Sequence, residues 1–144
     1  MTRRISIRHA ILSDLDSVKH LADANHKSLG FVIRSALVAG IEKQWLIVAD
    51  YQGEIVEFAH YRHRQDNQTT LYELCVQSEY RGQGIGKALI NHLQSESQDI
   101  GKTILVLKMP IDLPASIFYE RIGFVRREIE PGRKRVLQVW YLSW

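Results

Sequence analysis

The middle of the chain carries glycines at three alternate positions, Gly82, Gly84 and Gly86, between two basic residues, Arg81 and Lys87. Glycines let the backbone approach a bulky group closely, and this segment joins a predicted strand to a predicted helix. The free N–H groups in the first turn of a helix, together with its dipole, favour an anion. The two basic side chains add full positive charge. This combination is typical of a phosphate or pyrophosphate site, and the alternative is a glycine-rich turn without a ligand.

The glycine spacing excludes two common nucleotide-binding loops. A dinucleotide fingerprint, G-x-G-x-x-G, needs a glycine where the chain has Lys87. A Walker A loop needs a glycine where the chain has Arg81, and a serine or threonine where it has Ala88. The spacing that remains is Arg81-x-x-Gly84-x-Gly86.

This spacing resembles the acetyl-coenzyme A (acetyl-CoA) loop of the GNAT N-acetyltransferase superfamily, which reads Gln/Arg-x-x-Gly-x-Gly/Ala after a strand. The wider match covers residues 76–89, and residues 115–124 resemble the family segment A-x-x-Phe-Tyr-x-x-x-Gly-Phe. The order of predicted elements agrees over nearly the whole chain, although residues up to about 64 match only in pattern. Asp112 departs from the family pattern, because members often carry an asparagine there.

The resemblance implies direct attack of an amine on the thioester of acetyl-CoA. The pyrophosphate would bind the backbone of the glycine loop, and the pantetheine arm would pair with the preceding strand like an additional strand. A backbone N–H near Cys75 or Val76 would polarise the acetyl carbonyl. The cofactor-binding residues implied in this way are Leu74, Cys75, Val76, Arg81, Gly82, Gln83, Gly84, Ile85, Gly86, Lys87, Ser116 and Tyr119.

Two residues are candidates for the proton transfers. Tyr119 matches the family's general acid and would protonate the departing thiolate, although its helical spacing also suits a core tyrosine. Glu73 is our candidate for the base, because it is a carboxylate within an otherwise apolar strand. Strand alternation predicts that Glu73 and Cys75 share one face, with Tyr72 and Leu74 on the other. The alternatives are an exposed strand residue at position 73, with Tyr72 or ordered water as the base.

Apolar periodicity and turn residues predict the elements that position these groups. We expect an α/β fold, a single GNAT-like domain over residues 1–144, with a mixed, mostly antiparallel central sheet. A parallel pair of strands would surround the helix that follows the glycine loop. Pro131 and Gly132 predict a type II turn between the last two strands. The predicted strands are 4–8, 45–51, 54–64, 70–76, 103–107, 124–129 and 136–144, and the predicted helices are about 12–22, 31–41, 85–93 and 115–122.

Composition narrows the class of protein further. The chain has 144 residues, 45% apolar and 24% charged, and no apolar run approaches the ~20 residues of a membrane span. Its net charge of +3 arises within residues 120–135, which does not suggest a nucleic-acid partner. The single cysteine, Cys75, excludes an intrachain disulfide and a cysteine-based zinc site, and a cytoplasmic location is the default. His60 and His63 are expected on opposite faces of a strand, so they predict no shared metal ion.

We therefore expect an acetyl-CoA-dependent N-acetyltransferase that acts on a primary amine of a small molecule. The alternatives are a protein or peptide N-acetyltransferase and a non-catalytic acyl-CoA-binding regulatory module. The acceptor site is expected to include Phe31, Arg34, Tyr61 and residues 70–74. Trp140 and Trp144 lie on one face of the last strand, which suits either core packing or a homodimer interface.

Overall fold

The computed structural model describes residues 4–26 and 32–144. These residues form seven strands and four α-helices in the order that the sequence predicts. The strands are β1 (Ile5–His9), β2 (Leu46–Tyr51), β3 (Glu54–His63), β4 (Gln68–Val76), β5 (Ile104–Pro110), β6 (Val125–Pro131) and β7 (Val136–Ser143). The helices are α1 (Leu15–Ala24), α2 (Arg34–Glu42), α3 (Ile85–Asp99) and α4 (Ser116–Arg121), with short 3₁₀ helices at Leu12–Asp14 and Ser78–Tyr80. None of these helices is long and apolar enough to cross a membrane.

The strands form one mixed sheet in the order β1-β2-β3-β4-β5-β7-β6. Every neighbouring pair is antiparallel except β4 and β5, which run parallel. Parallel neighbours need a long crossover, and α3 supplies it. The predicted α/β class, with a mostly antiparallel sheet and a parallel pair around the glycine-loop helix, is confirmed.

The parallel pair separates soon after it begins. Its pairing runs from Gln68 opposite Ile104 to Leu71 opposite Leu107, and it continues no further along β4. A β-bulge lies at the same point, because β3 pairs His60 with Glu73 but Tyr61 with Leu71 and so skips Tyr72. A bulge bends and twists its strand. The remainder of β4 therefore has β3 on one side and an open gap towards β5 on the other.

The sheet has an apolar cluster on each face. The first cluster lies beneath α3 and α4 and includes Leu89, Leu93 and Tyr119, while the second lies beneath α1 and α2 and includes Val18 and Phe58. Different helices thus cover the two faces of the sheet. Trp140 belongs to the first cluster and the partly buried Trp144 packs against it, which favours core packing for both.

Two local predictions differ from the structure. The prediction of a type II turn is wrong, because Pro131 ends β6 and the N–H of Gly132 donates to the carbonyl of Arg135 at 2.9 Å. Gly132 also lacks the positive φ that the third residue of a type II turn requires. The first helix begins at Leu15 rather than near residue 12, because the carboxylate of Asp14 accepts the N–H of Ile11 (2.8 Å) and holds the preceding residues in a 3₁₀ turn.

Candidate active site

The glycine loop connects β4 to α3 through two left-handed residues. Gly82 has φ +76° and Gly84 has φ +80°, and a Cβ at either position would meet no atom within 4 Å. Backbone conformation, and not lack of space, therefore requires glycine at both positions. Gly84 is the N-cap of α3. The loop thus turns the chain sharply from the end of the strand into the helix.

The N-terminus of α3 presents free main-chain donors. The first bond into the helix runs from the N–H of Ala88 to the carbonyl of Gly84 (3.1 Å), so the amides of Ile85, Gly86 and Lys87 precede it. The dipole of a 15-residue helix places partial positive charge at the same point. This geometry fits a bound phosphate group.

Side chains of the loop add to that site. Arg81 is exposed, and its guanidinium donates to Asn25 Oδ1 of the α1 C-terminus at 3.1 Å. Gln83 Nε2 donates to the carbonyl of Glu79 at 3.1 Å, which fixes the loop from within. Lys87 is exposed on the first turn of α3. Both cations are accessible to an anionic ligand at the helix N-terminus.

The open edge of β4 offers backbone groups to the gap. The N–H of Gln77 donates to the carbonyl of Val56 on β3 at 2.8 Å. Since successive residues of a strand point their backbone groups to opposite sides, the amide of Cys75 also points to β3. Leu74 and Val76 therefore turn their N–H and C=O groups towards the gap. Of the two donors predicted for the acetyl carbonyl, Val76 has the suitable direction and Cys75 does not.

The thiol of Cys75 is remote from the gap. It lies among the side chains beneath α1, where its Sγ donates to the carbonyl of Leu21 at 3.4 Å. Burial, with a further contribution from the charge of Glu57, raises the pKa of the Cys75 thiol to about 12. A thiol held protonated in this way is a poor nucleophile.

Tyr119 lies on the α3–α4 face of the sheet and is 6% exposed. Its ring makes edge contacts with Phe118 (5.1 Å between centroids) and Phe124 (5.4 Å). Burial and then the charge of Glu57 raise the pKa of Tyr119 above its usual value. The phenol therefore keeps its proton at neutral pH. Ser116, the first residue of the same helix, donates its N–H to the carbonyl of Leu113 at 3.3 Å.

Glu73 lies on the opposite face, where it is paired with a histidine. Its Oε2 lies 2.7 Å from Nδ1 of His60, the residue opposite it on β3. The imidazole is only 8% exposed, and a Cβ on Gly40 of α2 would approach its ring to 2.9 Å. Close packing against α2 thus fixes the imidazole, which in turn orients the carboxylate. The sequence indicated Glu73 but not His60, because the bulge in β4 determines which residues are opposite.

The same bulge corrects the predicted position of Tyr72. Alternation placed Tyr72 on the face of Leu74, but its ring lies beside that of His60, with 5.4 Å between the centroids. Tyr72 therefore shares a face with Glu73. Its 41% exposed side chain lines an open cleft of about 520 Å³, together with Thr70, Val106 and other residues.

Glu57 is a buried carboxyl that the sequence did not indicate. It is 2% exposed, and its Oε2 has no hydrogen-bond partner among the described residues. A Cβ added to Gly86 would lie 3.0 Å from its Oε1, so the carboxyl packs against the first turn of α3. Burial raises the pKa of Glu57 to about 8. Regular alternation along β3 places Glu57 on the same face as Ala59 and Tyr61, where the first turn of α3 covers it.

A comparison with known protein families now identifies the chain. Residues 42–126, more than half of its length, match the family model described as an acetyltransferase (GNAT) domain. The chain belongs to the GNAT acetyltransferase family. The glycine loop and the segment around Tyr119 both lie within the matched residues.

Curated relatives of this GNAT protein act on chemically different acceptors, according to their names. The 5-NmdU N-acetyltransferase of Pseudomonas phage PaMx11 is 36% identical over 87 residues, which are 60% of this chain and 61% of the phage protein. The mycothiol acetyltransferase of Pseudarthrobacter chlorophenolicus is 30% identical over 126 residues, 79% of this chain and 39% of that protein. The [ribosomal protein bS18]-alanine N-acetyltransferase of Escherichia coli K12 is 34% identical over 70 residues, 45% of this chain and 47% of that enzyme. The chain spans less than two thirds of the length of each of these relatives.

Solved structures of the family share the whole fold. Ard1 from Thermoplasma volcanium superposes with a TM-score of 0.87 at 18% identity, covering 96% of this chain and 97% of that one. The ribosomal-protein-S18-alanine N-acetyltransferase of Escherichia coli gives 0.80 at 21% identity, covering 97% and 94%. PaiA N-acetyltransferase of Thermoplasma acidophilum, solved with coenzyme A, gives 0.76 at 17% identity, covering 98% and 99%. At these identities the likeness shows the GNAT fold.

Three residues predicted to line the acceptor site of the GNAT protein lie elsewhere or outside the structure. Tyr61 faces the α3 side, where its hydroxyl donates to Glu96 at 2.6 Å. The prediction that Tyr61 lines the acceptor site is therefore wrong. Arg34 is exposed on α2 and pairs with Asp16 at 2.7 Å, away from the cleft beside Tyr72. Phe31 lies outside the described residues.

Proposed function

We propose that this GNAT-family protein is an N-acetyltransferase that transfers the acetyl group of acetyl-CoA directly to a primary amine of a small molecule. The observation that carries the proposal is the gap beside β4. There, the backbone groups of Leu74 and Val76 have no strand partner among the described residues. Tyr119 lies on one face of the sheet and Glu73 on the other.

The residues around the gap fit acetyl-CoA. The free amides of α3, with Arg81 and Lys87, would hold the pyrophosphate, and the left-handed Gly82 and Gly84 let the backbone approach it. Apart from the side chains of Arg81 and Lys87, residues 81–87 would thus act through their main chain. Leu74 and Val76 offer both N–H and C=O groups, which can pair with the amides of an extended pantetheine arm.

Val76 and Tyr119 would be the hydrogen-bond donor and the general acid of the reaction. Bound acetyl-CoA would supply a thioester carbonyl open to attack by an amine. The N–H of Val76 is directed into the gap and would donate a hydrogen bond to the carbonyl oxygen as negative charge develops on it. Tyr119 keeps its proton at neutral pH and would donate it to the departing thiolate.

Glu73 would be the general base, and His60 would position it. An alkylammonium group has a pKa near ~10, so it must lose a proton before it can attack. Glu73 would accept that proton directly or through one water molecule, and His60 would orient its carboxylate. With acid and base on opposite faces, the amine can enter from one side of the sheet while the thiolate is protonated from the other.

Coenzyme binding and turnover can be tested separately. Acetyl-CoA should raise the melting midpoint of the protein by mass action. Tyr119→Phe should keep that shift but lower kcat about a hundredfold or more, because the variant lacks only the hydroxyl group that carries the acidic proton. Glu73→Gln should also keep the shift and lower kcat. Absence of a melting shift in the unmodified protein would contradict the proposal, and full turnover by Tyr119→Phe would remove Tyr119 as the acid.

The acceptor can be tested with a panel of amines and peptides and detection of the released thiol. The cleft of about 520 Å³ beside Tyr72 has the size of a small-molecule site. Activity on peptides alone would instead favour a peptide acetyltransferase, a class that includes the Escherichia coli relative by its name. Coenzyme binding without any turnover would favour a regulatory acyl-CoA-binding module.

A further inference from the structure

The cleft beside Tyr72 contains an arginine, Arg64, that has no acidic partner among the described residues. This arginine indicates what kind of amine the site accepts. We propose that Arg64 binds a carboxylate or phosphate group of the acceptor, so that the substrate is a primary amine carrying an anion. This inference rests on the proposed acetyltransferase function. It adds a specificity residue and a substrate class to that function.

Arg64 is held in a fixed orientation by neutral groups. Its Nε donates to Oγ1 of Thr70 at 3.0 Å, and one terminal nitrogen donates to the hydroxyl of Tyr72 at 3.2 Å. No aspartate or glutamate in the described part of the chain forms an ion pair with it. A guanidinium has five N–H donors, so most of its hydrogen-bonding capacity is still free. Its planar fork matches a carboxylate or a phosphate.

The charges around the cleft favour an anion at this end. Lys102 donates its ammonium to the main-chain carbonyls of Arg64 and Asp66, and thus brings a second positive charge. The carboxylate of Asp66 already accepts an N–H of its own turn at 2.9 Å. On the other side of the cleft, Lys108 is neutralised by Glu130 at 2.8 Å. An excess of positive charge therefore remains next to the guanidinium.

Tyr72 connects this anion site to the reacting centre. Its hydroxyl contacts Arg64, and its ring packs beside His60, which holds Glu73. Three steps along β4 separate Thr70 from Glu73, or roughly 7–10 Å at the usual rise of a strand, the lower value allowing for the bulge. An extended spacer of about six to eight bonds covers this distance. The exposed ring of Tyr72 offers that spacer an apolar surface.

Three amines with the same chain of five methylene groups test the proposal: aminohexanoate, aminopentyl phosphate and the neutral aminohexanamide. The protein should acetylate at least one of the anionic amines with a kcat/KM about tenfold to hundredfold above that of the neutral amine, the range expected for hydrogen bonds to a charged group. Arg64→Gln should abolish this preference, mainly by raising KM for the anionic amines. The relative rates of the two anionic amines distinguish a carboxylate from a phosphate.

Two further variants keep the test specific to Arg64. Arg62→Gln removes an equal charge two residues away, where the guanidinium stacks on Trp45 at 5.7 Å outside the cleft, and it should retain the preference. Arg64→Lys keeps the charge without the fork and should recover part of the preference. The melting midpoint of Arg64→Gln should also be compared with the midpoints of these two variants and of the unmodified protein. A lower midpoint in Arg64→Gln alone would show that its loss of preference arises from altered folding.

Calorimetric binding of the same amines in the presence of coenzyme A gives a readout independent of turnover. Tighter binding of an anionic amine that depends on Arg64, without acetylation of any amine, would support the anion site and overturn the proposed function. Acetylation with equal kcat/KM for charged and neutral amines, or a preference that survives in Arg64→Gln, would overturn the inference and leave the acetyltransferase function intact.

Discussion

Replacing Glu57 with glutamine should stabilise the protein in mildly alkaline solution and change little in mildly acidic solution. The Glu57 carboxyl is 2% exposed, and its Oε2 has no hydrogen-bond partner in the described residues. Burial therefore favours the neutral acid and raises the pKa of Glu57 to about 8, from a reference value of 4.5. Glutamine has the same shape and is neutral at every pH, so it removes only the cost of burying a charge.

The size and sign of the effect follow from proton linkage. A carboxyl whose pKa is higher in the folded state contributes stability that is fully present below its unfolded pKa and is lost as the pH rises through its folded pKa. Each pH unit in that interval changes the unfolding free energy by about 1.4 kcal/mol. Between the reference value and the folded value, the unmodified protein should lose roughly 3–5 kcal/mol that Glu57→Gln retains.

Urea unfolding of both proteins without coenzyme, at intervals from about pH 5 to 9, measures this difference. The free energy of unfolding should be similar near pH 5, within about 2 kcal/mol, and should increasingly favour Glu57→Gln up to about pH 8. Glu130→Gln is a suitable control, because it removes a half-buried carboxylate whose surface pair with Lys108 contributes no more than about 1 kcal/mol. A difference between the proteins that stays constant over the whole range would refute the reasoning, since Glu57 would then be ionised in the folded state.

Two other predictions concern stability and follow from contacts in the structure. Gly86→Ala should destabilise the protein by about 1–3 kcal/mol in urea, because its Cβ would lie 3.0 Å from both Glu57 and Phe118. Gly84→Ala, whose Cβ meets nothing, should lose only the roughly 1–2 kcal/mol of its left-handed backbone, so a larger loss at Gly84 would contradict this explanation. Burial raises the pKa of Glu96, but hydrogen bonds from His63 and Tyr61 outweigh burial and hold the pKa below its usual value. Glu96→Gln should thus destabilise the protein by about 1–3 kcal/mol at neutral pH. The difference in unfolding free energy should shrink as the pH falls below about 4.5, and an unchanged difference in acid would argue against this linkage.

Local spacing allowed part of the candidate site to be located from the sequence. The glycine loop is recognisable because left-handed glycines and a helix N-terminus are properties of a few consecutive residues. Tyr119 was singled out because residues 115–124 resemble a family segment, whereas its helical spacing alone also suits a core tyrosine. The roles of these residues remain predictions, but their neighbourhood does not depend on distant parts of the chain.

Other parts of the candidate site depend on a bulge in β4 and on the packing of α3 over β3, and neither has a local signal. The extra residue at Tyr72 places that ring beside His60, the partner of Glu73. The first turn of α3 packs over β3 and buries Glu57. Strand alternation assumes an uninterrupted period of two, so predictions based on it fail wherever a bulge adds a residue. The prediction for Tyr72 was wrong for this reason, and the burial of Glu57 was not predicted at all.

The sequence by itself determined the family of this protein, the order of its strands and helices, and the loop at the start of α3. All three depend on periodicity and on motifs within short segments. Only the tertiary structure decided which backbone groups of β4 face the gap, that His60 holds Glu73, and that Arg64 is fixed by hydroxyl groups instead of a carboxylate. These properties arise from the register between strands, and register is set by contacts between residues that are far apart in the chain.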